Sequence, residues 1–262
     1  MSNHLGRRFA ILAAALAGAV LVVLTQAPAS LLASAVNSWT SERVELGDPS
    51  GTVWDGQADL ILASGDRGSS FRTRLPGRTS WHIDPWRLLI GALDLTLTNA
   101  AASDVPLALR VDWKANATVE PGRLRLPAGV LVGLGAPWNT IRPGGDIELE
   151  WDTLHLQSGA LRGHLSAEWV GASSGLSPVV PFGHYRLQAD GVFAGAQVQL
   201  ETISGPMEMT GSGTIVDGRR LRFRGIARVQ PGTDAAVATQ LSGLISLLGR
   251  RDGDGAILNF GT

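Results

Sequence analysis

A serine nucleophile is the first chemistry to test, because Gly171-Ala172-Ser173-Ser174-Gly175 has the spelling of a nucleophile elbow. That motif works only on a turn between a strand and a helix, with a base in hydrogen-bond reach. Here the stretch is Ser/Gly-rich and is followed by Pro178 and Pro181, so it reads as an ordinary turn. Metal chemistry would need clustered ligands. The five histidines are His4, His82, His155, His164 and His184, and none forms an HExxH or another close pair. His155 and His164 fall on adjacent expected strands, where a hydrogen-bonded or exposed imidazole is the simpler expectation. Asp252-Gly253-Asp254-Gly255 lacks the remaining ligands of a calcium loop. The chain has no cysteine, which excludes a thiolate site, a thiol nucleophile and a disulfide framework. There is no phosphate-binding loop and no complete GxGxxG. The expectation is a non-enzyme with no catalytic residue, cofactor or metal. What remains is a stripe of cations, Arg220, Arg222, Arg224 and Arg228, alternating with Leu221, Phe223, Ala227 and Val229. On a strand these arginines share one face. They are the candidate partner surface, suited to an acidic protein or anionic head groups. The competing reading is a solvated face that resists edge aggregation.

The elements that would position this stripe are strands. Leu93, Leu95 and Leu97 alternate with Asp94, Thr96 and Thr98, and Leu107, Leu109, Val111 and Trp113 alternate with Ala108, Arg110 and Asp112. Ile147, Leu149 and Trp151 alternate with Glu148, Glu150 and Asp152. Such period-two runs bury one face of a sheet. The phase slips between Trp151 and Leu154, which predicts a bulge or strand bend. Weaker runs occupy 51–62, 161–170, 185–189, 196–203 and 207–216, and Asp190-Gly191 and Asp217-Gly218 between runs read as hairpin turns. Pro121-Gly122, Pro143-Gly144-Gly145 and Pro231-Gly232 read as further turns. With 33 glycines and 13 prolines, the chain favours a mainly β fold: a large curved antiparallel sheet or a β-sandwich-like domain. One short helix is expected near the C-terminus. Val237, Leu241, Leu244, Ile245 and Leu248 stand at helical spacing, with Thr233 or Asp234 to cap it and Gly249 to end it. Of the eight tryptophans, the seven from Trp54 to Trp169 fall in the β region as core or sheet-edge packing, with some facing a groove or membrane interface. Acidic and basic residues nearly cancel, 23 against 22, so no general attraction to nucleic acid is expected.

The N-terminus carries a separate signal. Arg7 and Arg8 precede an unbroken apolar run from Phe9 to Leu24, which weakly polar residues extend to Ala27. A helix over 9–27 would be about 28 Å long, close to the hydrocarbon thickness of a bilayer. The arginines lie on one side only, so the N-terminus would be cytoplasmic and the bulk of the chain exported. A cleaved signal peptide ending near Ala27-Pro28-Ala29 is the alternative. The expected organisation is a cytoplasmic segment 1–8, a transmembrane helix 9–27, a membrane-proximal linker 28–41 and a periplasmic β domain 42–262.

Five phrases in order resemble the type II secretion system protein N family: Gly51-Thr-Val-Trp-Asp-Gly-Gln-Ala-Asp-Leu60; Trp81-His-Ile-Asp-Pro85 with Arg87-Leu-Leu-Ile-Gly-Ala-Leu93; Glu168-Trp-Val-Gly-Ala172 with Pro181-Phe-Gly-His-Tyr-Arg-Leu187; Ser204-Gly-Pro-Met-Glu-Met-Thr-Gly-Ser-Gly213; and Leu244-Ile-Ser-Leu-Leu-Gly249 with Asp252-Gly253. The matched residues punctuate a fold and include no catalytic motif. The resemblance implies a single-pass inner-membrane protein with a periplasmic domain. Such a protein accompanies the machinery that exports folded proteins across the outer membrane, with the other secretion subunits as partners. A second reading from a different class is an AsmA-like module whose β groove binds or transfers lipid.

Overall fold

The computed structural model describes residues 26–63, 72–135, 138–157, 160–192, 195–216, 220–253 and 255–261. The alternating segments form strands. In the first half these are β1 (Val44–Gly51), β2 (Asp55–Ala63), β3 (Arg72–Arg74), β4 (Thr79–Ile83), β5 (Leu93–Thr98) and β6 (Leu107–Val111). The next two segments are each a broken strand: β7 (Ala117–Val119) with β8 (Gly122–Pro127), and β9 (Pro143–Trp151) with β10 (Leu154–Gln157). The second half holds β11 (Ala160–Ser174), β12 (Gly183–Val192), β13 (Gln197–Ser204), β14 (Met207–Val216), β15 (Arg220–Val229), β16 (Arg250–Asp252) and β17 (Gly255–Phe260).

Their pairing is a meander. β3 and β4 share one edge of β2, and β5, β6 and β7 follow. β7 lies on β10 and β8 on β9, and both β9 and β10 pair with β11. From there β12 to β15 add in order, and β17 fits between β15 and β16. Among the described residues this gives one open antiparallel sheet of seventeen strands, with no second sheet and hence no sandwich.

Register makes the two faces distinct. Leu46 opposes Leu60, Trp81 opposes Leu97, Leu95 opposes Leu109 and Leu124 opposes Leu149. Further on, Trp169 opposes both Ile147 and Tyr185, and Ala227 opposes both Met209 and Ala256. One apolar face therefore crosses the sheet, and most of the charged strand residues fall on the other. The expected slip after Trp151 is the break between β9 and β10. Two residues, Asp152 and Thr153, restore Leu154 and Leu156 to the apolar face. Gly163 takes φ 144° opposite this bulge, where a Cβ would strike Leu154 and the Thr153 carbonyl.

Several expected turns are corrected. Asp190-Gly191 does not reverse the chain: both residues are inside β12, with Gly191 opposite Gly163, and β13 begins only at Gln197. Pro121-Gly122 bends one strand, and Pro143-Gly144-Gly145 opens β9. Asp217-Gly218 lies outside the described residues, in the connection that joins Val216 to its partner Arg220.

Helices cover the apolar face at its two ends. α1 (Ala29–Trp39) packs on β1 and β2, where Ala29 and Leu32 join Ala58, Trp81 and Ile83 in one core. Two short helices, α2 (Pro85–Leu89) and α3 (Trp138–Ile141), lie in connections. α4 (Ala235–Leu248) is the expected C-terminal helix. Asp234 caps it, accepting hydrogen bonds from the Ala236 and Val237 amides, and Gly249 follows its end. Its Leu241, Leu244 and Ile245 are buried with Phe182, Tyr185, Met207 and Phe223 in the second core. A 3-10 helix (Ala128–Leu134) crosses from β9 to β2 and β3.

α1 is a docked helix, since Gln26 sits in a turn and Pro28 bridges to Thr52. The span expected over 9–27 would thus have to end by Thr25, and 9–25 lie outside the described residues. No described helix is long and apolar enough to cross a membrane.

Candidate partner surface

β15 presents Arg222, Arg224 and Arg228 on the polar face, all exposed, because Leu221, Phe223, Gly225 and Ala227 take the other side. Arg220 begins the strand opposite Val216. The three arginines differ in what they meet. Arg228 stands opposite Glu208 and grips it as a fork, Nε to one carboxylate oxygen at 2.9 Å and Nη2 to the other at 3.1 Å. That pairing raises the Arg228 pKa and fixes its charge inside the sheet. Arg222 and Arg224 stand opposite Thr214 and Ser212, which carry no charge. Arg224 also borders a depression of about 990 Å³ that it shares with Arg250, Gln199, Thr210 and Asn259 and with the carboxylates of Glu201 and Asp252.

Elsewhere on the polar face several arginines pair with carboxylates across strands. Glu45 meets Arg72 at 3.0 Å, Asp59 meets Arg74 at 3.1 Å, Asp94 meets Arg110 at 3.2 Å and Asp146 meets Arg125 at 2.8 Å. Arg186 joins three strands, with Glu168 at 2.8 Å and Glu201 at 3.0 Å. Glu168 also accepts from His184 at 2.9 Å. Burial pushes the Glu168 carboxyl up, but the hydrogen bonds and charges of Arg186 and His184 outweigh it and hold it below its ordinary range. Among the described residues Arg222 and Arg224 differ from Arg228 in having uncharged cross-strand neighbours on β14.

The other residues with chemical promise are accounted for by structure. His82 pairs with Asp55, and His164 turns to Asp190 on β12. His155 contacts Thr118 on β7, while its cross-strand partner on β11 is Arg162. His4 lies outside the described residues. Among the described residues no group of three or more side chains is placed to hold a metal. Ser173 and Ser174 end β11, and Ser174 Oγ donates to the Ile141 carbonyl at 2.6 Å. A turn follows, not the helix an elbow requires.

The model of the type II secretion system protein N family matches residues 42–258, from just before β1 into β17. The chain belongs to that family. The match takes in nearly the entire sheet and both faces of β15, and it makes the protein a component of type II secretion. No curated protein and no solved structure matches the chain. Spacing found the arginine stripe, and Trp86 and Trp113 are among the tryptophans of which some were expected to face a groove or membrane interface; both are strongly exposed at one end of the sheet, with Leu89 and Ile90. Leu89 and Ile90 carried no such expectation, since Asp84-Pro85 starts a helix too near Gly91 to have a buried face.

Proposed function

We propose that this family member is a non-enzymatic, single-pass inner-membrane subunit of the type II secretion system. Its sheet lies in the periplasm and binds another secretion subunit through the polar face of β15. Arg7 and Arg8 before the apolar run support the anchor and its orientation. The observation that carries the surface is the contrast between Arg228, paired with Glu208, and Arg222 and Arg224, whose neighbours on β14 are uncharged. Arginine suits an acidic protein partner because its planar fork binds carboxylates in pairs. The test is co-purification from secreting cells. Arg222→Glu with Arg224→Glu should lower recovery of secretion subunits on the tagged chain about tenfold or more, equivalent to about 1.4 kcal/mol. Recovery equal to that of the parent chain, with the sheet intact by circular dichroism, would contradict the assignment.

One observation favours the lipid-binding alternative. Leu107, Leu109, Val119, Leu124, Leu149 and Leu154 lie on the apolar face, are only half-buried and belong to neither core. α1 and α4 pack elsewhere. This strip could line a groove for acyl chains. Solvent extraction of the purified protein separates the readings: phospholipid at about one per chain supports a groove, and a lipid-free extract counts against it.

A further inference from the structure

Two connections hold apolar side chains out in water at one end of the sheet. In the first, Asp84 Oδ1 accepts from the Trp86 amide at 2.9 Å and starts α2, which stops at Gly91 with φ 75°. None of its residues is buried, and Trp86, Leu89 and Ile90 are 75, 76 and 68% exposed. In the second, the β6–β7 hairpin, Asp112 accepts from the Lys114 and Asn116 amides and from the Asn116 side chain. This pins the tip, leaving Trp113 75% exposed with Lys114 Nζ 5.0 Å from its ring centre. The tips adjoin, since a Cβ on Gly91 would lie 3.0 Å from that of Trp113. Together they form one patch of two indoles and two aliphatic side chains beside a cation.

The same end of the sheet receives the chain from its N-terminal apolar run. The Ala27 carbonyl accepts from the Val53 amide at 2.8 Å, and the neighbouring Trp54 carbonyl accepts from Ile83 at 2.7 Å, one residue before Asp84. The patch is therefore two to three strands from Ala27, roughly 10–15 Å at the usual strand spacing.

We infer that Trp86, Leu89, Ile90 and Trp113 insert into the lipid interface of the membrane from which the chain emerges, and so fix the sheet with this end against the bilayer. Amphipathic indoles with an adjoining lysine are the chemistry that prefers the headgroup level, with the aliphatic side chains reaching the acyl boundary. The inference rests on the anchor proposed above, because the anchor brings the membrane within reach of the tips.

The absence of cysteine makes the test direct. Full-length chains with Leu89→Cys, Trp113→Cys or, at the opposite end, Asp104→Cys are labelled with an environment-sensitive fluorophore. They are then reconstituted into phosphatidylcholine–phosphatidylglycerol vesicles containing nitroxide lipid. The labels at 89 and 113 should shift to the blue and be quenched, and that at 104 should do neither. Adding Trp86→Ser and Trp113→Ser to the Leu89→Cys chain should reduce the quenching. If the chain floats with vesicles but the labels at 89 and 113 stay in water, this inference fails and the anchor stands. If it does not float, both fail.

Discussion

Aromatic rings laid over glycines explain much of the unusual composition. Trp81 stands opposite Gly56, and Trp151 opposite Gly122, with each ring filling the space that a Cβ would take. Phe223 does the same for Gly211 and Gly225. The indole N–H groups of Trp81, Trp151 and Trp169 donate to the Val53, Glu120 and Gly144 carbonyls at 3.0, 2.9 and 2.8 Å. Trp81→Ala is expected to cost about 3–5 kcal/mol. Gly56→Val, which drives a side chain into the Trp81 ring, should cost about 1–3 kcal/mol. Urea denaturation measures both, and a neutral Gly56→Val would refute the stacking account. Glu168 gives a pH prediction. Its folded pKa is depressed, so its contribution is complete above the unfolded value of about 4.3 and fades as pH falls through the lower folded value. Glu168→Gln should therefore lose about 1–3 kcal/mol at pH 7 and lose less than the parent on acidification. Identical acid limbs for the two chains would contradict this. The sequence displayed both the Trp and the Gly residues, but which ring covers which glycine depends on strand register, which no local pattern encodes.

Elements were more legible where periodicity alone decides them. Alternation placed β5, β6, β9 and β15, and helical spacing with Asp234 placed α4. Local turn signals failed where tertiary pairing overrode them. Asp190-Gly191 is a strong hairpin spelling, yet the pairing of β11 with β12 keeps both residues extended, and the chain reverses only after them. The Ala/Ser-rich segment expected as a membrane-proximal linker is instead α1, because Ala29 and Leu32 find a core at Ala58, Trp81 and Ile83 that no local pattern announces. α4 is the element whose packing is easiest to test. Leu241→Ala removes a fully buried side chain and should cost about 2–5 kcal/mol. Asp234→Ala removes only the cap and should cost about 1 kcal/mol. Thermal melts that rank the two in the reverse order would show that α4 is held by its terminus and not by its face.

At the scale of the whole molecule, one sheet separates an apolar face, covered at both ends by α1 and α4, from a charge-paired face interrupted by Arg222 and Arg224. The arginine stripe was readable because four cations at alternate positions need no tertiary information. Its division into Arg228, opposite a carboxylate, and Arg222 and Arg224, opposite hydroxyls, was not readable, because Glu208, Ser212 and Thr214 become its neighbours only through the β14–β15 register. That some tryptophans are exposed was expected, but that Trp86 and Trp113 are the ones, on adjoining tips at 84–91 and 112–116, depends on how short their connections are. The central claim is that this sheet is held at the inner membrane by the N-terminal run and faces the periplasm. The direct measurement is fractionation of cells making a C-terminally tagged chain, followed by protease treatment. The account predicts a full-length band in the inner membrane, digested only after the outer membrane is opened. A shortened, soluble periplasmic band, or digestion from the cytoplasmic side alone, would contradict it.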